Sequence, residues 1–138
     1  MFGEVVNEKM VLNKYGYIVK HYLKQIHVHF RFVNVDSFIV MPDHIHIILF
    51  VKCKQCIRRD VALLRLYRNG NARMSKISPK PKSISSIIRS YKSICKRTIN
   101  IMNKYNYFNW QPRFHDHIIR TQESLWNIRE YIKNNPTN

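Results

Sequence analysis

Val33-Asn34-Val35-Asp36-Ser37-Phe38-Ile39-Val40-Met41-Pro42-Asp43-His44-Ile45-His46-Ile47-Ile48-Leu49-Phe50-Val51 is the stretch whose reading decides the fold. Residues 33–41 and 45–51 are rich in β-branched and aromatic side chains, which suit a pleated, half-buried surface. Pro42-Asp43 interrupts them with turn chemistry, proline by its fixed φ and aspartate by bonding its own backbone. The stretch predicts an antiparallel hairpin. Side chains at i and i+2 of a strand share a face, so His44 and His46 project together. Two parallel imidazoles can hold one divalent ion between them, although a hydrogen-bonded or exposed pair is the commoner fate of this pattern alone. Ile47-Ile48-Leu49-Phe50 reads as core strand and anchors the pair on a rigid element.

On the N-terminal side, Val5-Val6 and Lys9-Met10-Val11-Leu12 flank Asn7-Glu8 and predict a short hairpin. Ile18, Val19, Tyr22, Leu23 and Ile26 recur at helical spacing, predicting an amphipathic helix over residues 14–27. On the C-terminal side the character changes. Residues 52–82 hold ten Lys or Arg and one acid, Asp60, broken by Asn69-Gly70-Asn71 and Pro79-Lys80-Pro81. They read as a basic loop with a short turn of helix at 61–67. Ser83 or Ser85 then caps a helix to about Lys104, with an expected buried stripe of Ile84, Ile87, Ile88, Tyr91, Ile94, Thr98 and Ile101. A loop with Asn109-Trp110-Gln111-Pro112 leads to an expected short strand at 117–120. Thr121 caps a last helix through Leu125, Ile128 and Ile132 that ends at Asn135-Pro136, since proline cannot continue it. There are no internal repeats, and residues 1–138 read as a single domain.

The charge balance narrows the partners. Lys and Arg number 24 against 8 Asp and Glu, a formal net charge of +16 with a pI near 10.1. Such self-repulsion points to a polyanion, most commonly nucleic acid. A basic amphipathic membrane helix is not seen, and the apolar run 47–51 is far too short to span a bilayer. Met1-Phe2-Gly3-Glu4 does not open a signal region. Three cysteines, Cys53, Cys56 and Cys95, are unlike a secreted disulfide framework. A soluble intracellular protein without a membrane partner is expected.

Chemistry can be placed at several further points. Tyr131 and Asn135 are i, i+4 on one helix and share a face. Tyr131 could offer a phenolate and Asn135 an amide oxygen to a hard metal; a half-buried Tyr beside an Asn helix cap is the plainer reading of that stretch alone. Arg89, Lys92 and Lys96 share another helix face and, beside a basic loop, point to phosphate contact. Cys53-x-x-Cys56 falls short of a zinc site, which needs two further ligands such as Cys95 and a His. His27 and His29 read as loop surface, whereas His115 and His117 read as support for the site or DNA contacts.

Met41-Pro42-Asp43-His44-Ile45-His46 resembles the Met-Pro-(Asn/Asp)-His-hydrophobic-His motif of the single-tyrosine HUH transposases. The likeness is closest to their domesticated branch, the REP-associated tyrosine transposases. Three further stretches resemble the family in order: residues 85–93, residues 110–120 (Trp110-Gln111-Pro112-Arg113-Phe114-His115-Asp116-His117-Ile118-Ile119-Arg120) and residues 128–136 (Ile128-Arg129-Glu130-Tyr131-Ile132-Lys133-Asn134-Asn135-Pro136). The resemblance implies that His44, His46 and Asn135 hold Mg²⁺ or Mn²⁺ and that Tyr131 is the nucleophile. Arg89, Lys92, Lys96, Arg113, His117 and Arg120 are the expected DNA contacts. The implied reaction cuts and rejoins single-stranded or hairpin DNA through a 5′-phosphotyrosine, in a cytoplasmic, nucleoid-associated prokaryotic protein. A homodimer is left open. The implied fold is an α+β, ferredoxin-like sandwich, an antiparallel sheet with helices on one face. Relatives carry a strand before the position of Met1, so an N-terminally truncated domain lacking its first strand is expected. The alternative is a catalytically inactive remnant, a module that only binds nucleic acid.

Overall fold

A computed structural model describes residues 2–52, 83–103 and 107–135. Most of the basic loop lies outside the described residues, together with Cys53, Cys56 and the turn of helix expected at 61–67.

The chain opens with a hairpin of β1 (Gly3–Val6) and β2 (Lys9–Leu12). Asn7 and Glu8 both take left-handed φ values, 47° and 60°, the pair a two-residue type I′ turn requires. Asn13 then caps α1 (Lys14–Lys24), its Oδ1 accepting from the backbone N–H groups of Tyr15 and Gly16. The helix expected over 14–27 is split: α1 stops at Lys24 and a four-residue α2 follows (Ile26–His29), with His27 and His29 exposed as expected.

Strands β3 (Val33–Val40) and β4 (Ile45–Val51) form the predicted antiparallel hairpin. The register shifts between Val35 and Ser37, so Asp36 stands outside the one-to-one pairing. This bulge changes the phase of β3. Val33 and Val35 before it, and Phe38 and Val40 after it, all reach the main core, joined by Ile45, Ile47, Leu49 and Val51 of β4. Ile39 and Ile48 belong to a second cluster.

Helix α3 (Ile84–Met102) is capped by Ser83, whose Oγ accepts from the N–H of Ser86. Its buried row is Ile87, Tyr91, Cys95 and Ile99, which corrects the expected stripe: Ile84, Ile94 and Ile101 are exposed. The expected positions recur near every 3.5 residues, whereas the observed row follows the i±4 ridge. Such a ridge packs against the matching one on a crossing helix, here Val19 and Leu23 of α1. Tyr91 donates to the carbonyl oxygen of Val19 at 3.2 Å, and Tyr22 meets Thr98 at 3.0 Å. Cys95 is fully buried in the main core, and burial pushes its thiol up to about 12.

Helix α4 (Gln122–Asn134) starts at Thr121, whose Oγ1 accepts from Ser124 N–H at 3.1 Å. Leu125, Ile128 and Ile132 pack it on Ile39 and Ile48, with Ile119 alongside. Because Ile48 alternates with Ile47 and Leu49, α4 covers the face of the hairpin opposite the main core. The class is α+β, as expected. Among the described residues the strands form two two-stranded sheets, and helices lie on both faces of β3–β4. No described helix is long and apolar enough to cross a membrane.

The turn before His44 is tied to the other end of the chain. Met41 N–H donates to the carbonyl oxygen of His44 at 2.9 Å, and Phe2 N–H to that of Pro42 at 2.6 Å. Phe2 in turn lies against α1 at Gly16, where a Cβ would stand 2.2 Å from the Phe2 carbonyl oxygen. Gly16→Ala must therefore displace backbone. We expect a loss of about 1–3 kcal/mol in denaturant titrations, the cost of overpacking, together with altered NMR shifts at Met41 to His44. Unchanged stability would mean that Phe2 moves freely and does not brace the turn.

Candidate active site

His44 ends the turn and His46 is the second residue of β4, so the alternation that buries Ile45 and Ile47 turns His46 to the α4 side. The Nε2 atoms of His44 and His46 converge to 3.1 Å, with ring centroids 4.8 Å apart and planes nearly perpendicular, at 87°. His44 Nδ1 lies 2.7 Å from Asp43 Oδ1. An ionised carboxylate only accepts, so the proton sits on Nδ1 and neutral His44 has its Nε2 lone pair free. His46 Nε2–H then donates to it; with the His46 proton carried on Nδ1 instead, two nitrogen lone pairs face one point. The hydrogen bond to His44 holds the Asp43 carboxyl below its ordinary value. Burial, then the charge that His44 carries when protonated, pushes His46 down. Both effects favour a neutral, ligand-competent His46.

Helix α4 carries the other two expected groups, and it sets Tyr131 beside His46. The Tyr131 ring stands edge-on to His46, centroids 5.4 Å apart at 80°, and the residue is 48% exposed. Asn135, one turn further, is only 5% exposed, and its Nδ2 has no hydrogen-bond partner. A buried unsatisfied amide N–H group costs about 1–3 kcal/mol, which a hydrogen-bond acceptor there, not a cation, would offset. Among the described residues no three or more His, Cys, Asp or Glu side chains are gathered to hold a metal. The donor set that the resemblance implies is two imidazoles and the amide oxygen of Asn135. It joins borderline nitrogen ligands to a hard oxygen ligand, a mixture that fits Mn²⁺ and, less tightly, Mg²⁺.

The expected DNA contacts divide into two groups. Arg89 is exposed and Lys96 half-buried on α3. Lys92 between them is already engaged: its Nζ donates to the carbonyl oxygens of Gln111 at 3.0 Å and Arg113 at 2.5 Å and lies 5.8 Å from the Trp110 ring. Burial lowers its pKa. Lys92 thus braces the 111–113 segment, where Arg113 holds a left-handed φ of 66°. Residues 114–120 form no strand, which corrects the one expected at 117–120. Ile119 packs into the α4 cluster, and no described strand pairs with the segment. His117 and Arg120 instead line a cavity of about 480 Å³ with Asp116, Ile118, Thr121 and Ser124. Ser124 precedes Tyr131 by two helical turns on the same face, about 10 Å along the axis.

The chain is 32% identical over 144 aligned positions to an uncharacterized protein of Haemophilus influenzae, in an alignment covering 99% of this chain and 72% of that one. The chain belongs to that protein's family. No protein-family model matches it, and no solved structure does.

Two residues beside the site escaped the sequence reading. Arg129, two positions before Tyr131, donates from Nε to Asp36 Oδ2 at 2.8 Å and from Nη2 to Asp36 Oδ1 at 2.6 Å. This contact holds the Asp36 carboxyl below its ordinary value. A signal for the bulge was present in the break of apolar phase from Val33 and Val35 to Phe38 and Val40. Nothing in the sequence pairs Asp36 with an arginine 93 positions away.

The depressed His46 pKa has a definite sign for stability. In the unfolded chain this ring takes up a proton around 6.5, which the native state resists. Its contribution is therefore full above pH 6.5 and is lost as pH falls through that value toward the native pKa. We expect the His46 NMR titration midpoint to lie below 6.5 and the fall in stability over this range to shrink in His46→Asn. A midpoint at or above 6.5 would mean that the ring is not enclosed between β4 and α4.

Proposed function

We propose that this protein is a single-tyrosine HUH transposase that binds single-stranded or hairpin DNA and cuts and rejoins it through a 5′-phosphotyrosine. The observation that carries the reading is the convergence of His44 and His46 Nε2 at 3.1 Å beneath a helix bearing Tyr131, whose ring lies 5.4 Å from that of His46. His44, His46 and Asn135 would hold Mg²⁺ or Mn²⁺, which when bound withdraws charge from a scissile phosphate. Tyr131 supplies the nucleophile, and its exposure leaves the phenol oxygen open to a strand. Attack at phosphorus forms the tyrosyl ester and breaks the bond to the 3′ oxygen, which leaves as a hydroxyl once protonated. The ester conserves the energy of the broken bond, so a 3′-hydroxyl can later reverse the step on new DNA. Asp43 fixes the orientation of the His44 ring, the usual service of a carboxylate behind a ligating imidazole.

The net charge of +16 supports DNA binding equally under a second reading, a module that binds single strands without cutting them. A labelled single-stranded hairpin oligonucleotide with Mn²⁺, resolved on denaturing gels, separates the two. A covalent adduct is expected from the native protein and none from Tyr131→Phe, with DNA affinity nearly unchanged. Salt-dependent binding without any adduct would establish the module; an undiminished adduct in Tyr131→Phe would remove Tyr131 from the mechanism.

The placement of Lys92 separates it from its helical neighbours in a second measurement. Each phosphate contact on a single strand contributes roughly 0.7 to the slope of log K against log salt. Arg89→Gln with Lys96→Gln should flatten that slope by about one to two units. Lys92→Gln should instead lower thermal stability through loss of its bonds to Gln111 and Arg113. Identical slopes in the double variant would place the strand elsewhere, along the cavity at His117 and Arg120.

A further inference from the structure

Helix α4 rests on the β3–β4 hairpin through few apolar groups. Ile48, Leu125 and Ile132 are buried, and Ile39, Ile119 and Ile128 partly so. Aliphatic contacts of this kind are non-directional and do little to oppose a small slide or roll of the helix. Yet the Tyr131 ring is half exposed and meets His46 with the ring planes nearly perpendicular, and a shift of an ångström would change what its phenol oxygen faces. The element that removes this freedom is the Asp36–Arg129 pair. Its two hydrogen bonds, 2.8 Å from Nε and 2.6 Å from Nη2, engage both carboxylate oxygens. Two parallel bonds between planar groups fix a direction as well as a distance. One end is on the bulge of β3, a strand bonded in register to β4, where His46 opposes Ile39. The other is two residues before Tyr131. A short path therefore runs from the pair to each half of the site, covalent to Tyr131 and across the β3–β4 ladder to His46.

We infer that Asp36 and Arg129 are positioning residues that set the register of α4 on the β3–β4 hairpin and so place the Tyr131 ring over His46. The bulge serves this purpose: it turns Asp36 to the α4 side while both halves of β3 keep their apolar residues in the main core. Lysine is no substitute at position 129, because an ammonium is a point charge without the guanidinium fork. The inference rests on the proposed nucleophilic role of Tyr131 for its consequence in catalysis, but not for the geometry it asserts.

The test uses the full chain in native form and as Asp36→Ala, Arg129→Ala, the double alanine variant and Arg129→Lys. Circular dichroism checks folding. Proton NMR reads cross-relaxation between the Tyr131 and His46 rings, which needs neither metal nor DNA. Single-turnover adduct formation with the hairpin oligonucleotide and Mn²⁺ reads the chemistry, and Mn²⁺ binding by paramagnetic resonance reads the metal. We expect each single alanine variant and Arg129→Lys to lose the ring-to-ring signal and to slow adduct formation by about 10- to 100-fold, the scale of an ångström's misplacement. Mn²⁺ affinity should change less than the rate. The double alanine variant should be no slower than either single one, because one interaction is removed in all three. A ring-to-ring signal and rate retained in folded Arg129→Lys would overturn the inference, as would independent, multiplying effects of the two alanine changes. Should the native protein form no adduct, the transposase reading falls, whereas loss of the ring-to-ring signal in the variants would still establish the positioning.

Discussion

The two-residue period of β4, held between a core on one face and a helix on the other, is the constraint on which the site depends. Ile45, Ile47, Leu49 and Val51 face the main core, while His46 and Ile48 face α4. A slip of one residue would exchange these sets: His46 would enter an apolar core, and Ile47 would lie beside Tyr131. Each misplaced aliphatic forfeits about 1.5–3 kcal/mol of burial, so the same side chains that stabilise the hairpin also hold the imidazole on its proper side. Accuracy at the site is thus a by-product of the apolar pattern around it.

The turn before His44 depends on residues remote in sequence. Phe2 bonds to the Pro42 carbonyl oxygen and packs against Phe108 and Trp110, with ring centroids 5.8 and 5.3 Å away. Trp110 donates from Nε1 to the Lys92 carbonyl oxygen at 2.9 Å, and the Lys92 ammonium holds the carbonyl groups of Gln111 and Arg113. Asn100 adds a reciprocal pair of bonds to the backbone of Phe108. The turn carrying His44 and the exposed segment carrying Arg113 are therefore linked through Phe2 and Trp110. A strand lying along that segment would be held in a fixed relation to the histidines.

Local features were legible in the sequence because their causes are local. The Pro42-Asp43 hinge, the caps Ser83 and Thr121, the Asn7-Glu8 turn and the shared face of His44 and His46 each follow from a few adjacent residues. Tertiary choices were not. The buried row of α3 depends on how it crosses α1, and Cys95 and Ile99 enter the core for that reason. Lys92 had the same appearance as Arg89 in the sequence, yet a carbonyl-lined position takes its ammonium out of the exposed face. The alternation at 117–120 looked like a strand, but alternation produces a strand only where a partner edge is available. Tyr131 and Asn135 were readable as sharing a helix face; which sheet surface that helix covers was not, because Ile128 and Ile132 would suit any apolar face.

Acidic groups are scarce here, and two of them sit close to the site. Asp36 is paired with Arg129, which offsets its charge, while Asp43 is hydrogen-bonded to His44. The same arrangement has a cost for a cation. In a chain of net charge +16, two neutral imidazoles and an amide bring no charge of their own to a divalent ion, and the surrounding field opposes it. Under the proposed reading the missing negative charge comes with the DNA: a phosphate at the site supplies both an oxygen ligand and the countercharge. Linkage then requires that DNA tighten metal binding by the same factor as metal tightens DNA binding. On that reading, neutral ligands in a basic protein suit a cation best when the phosphate substrate is present, which would confine the proposed chemistry at Tyr131 to the bound strand.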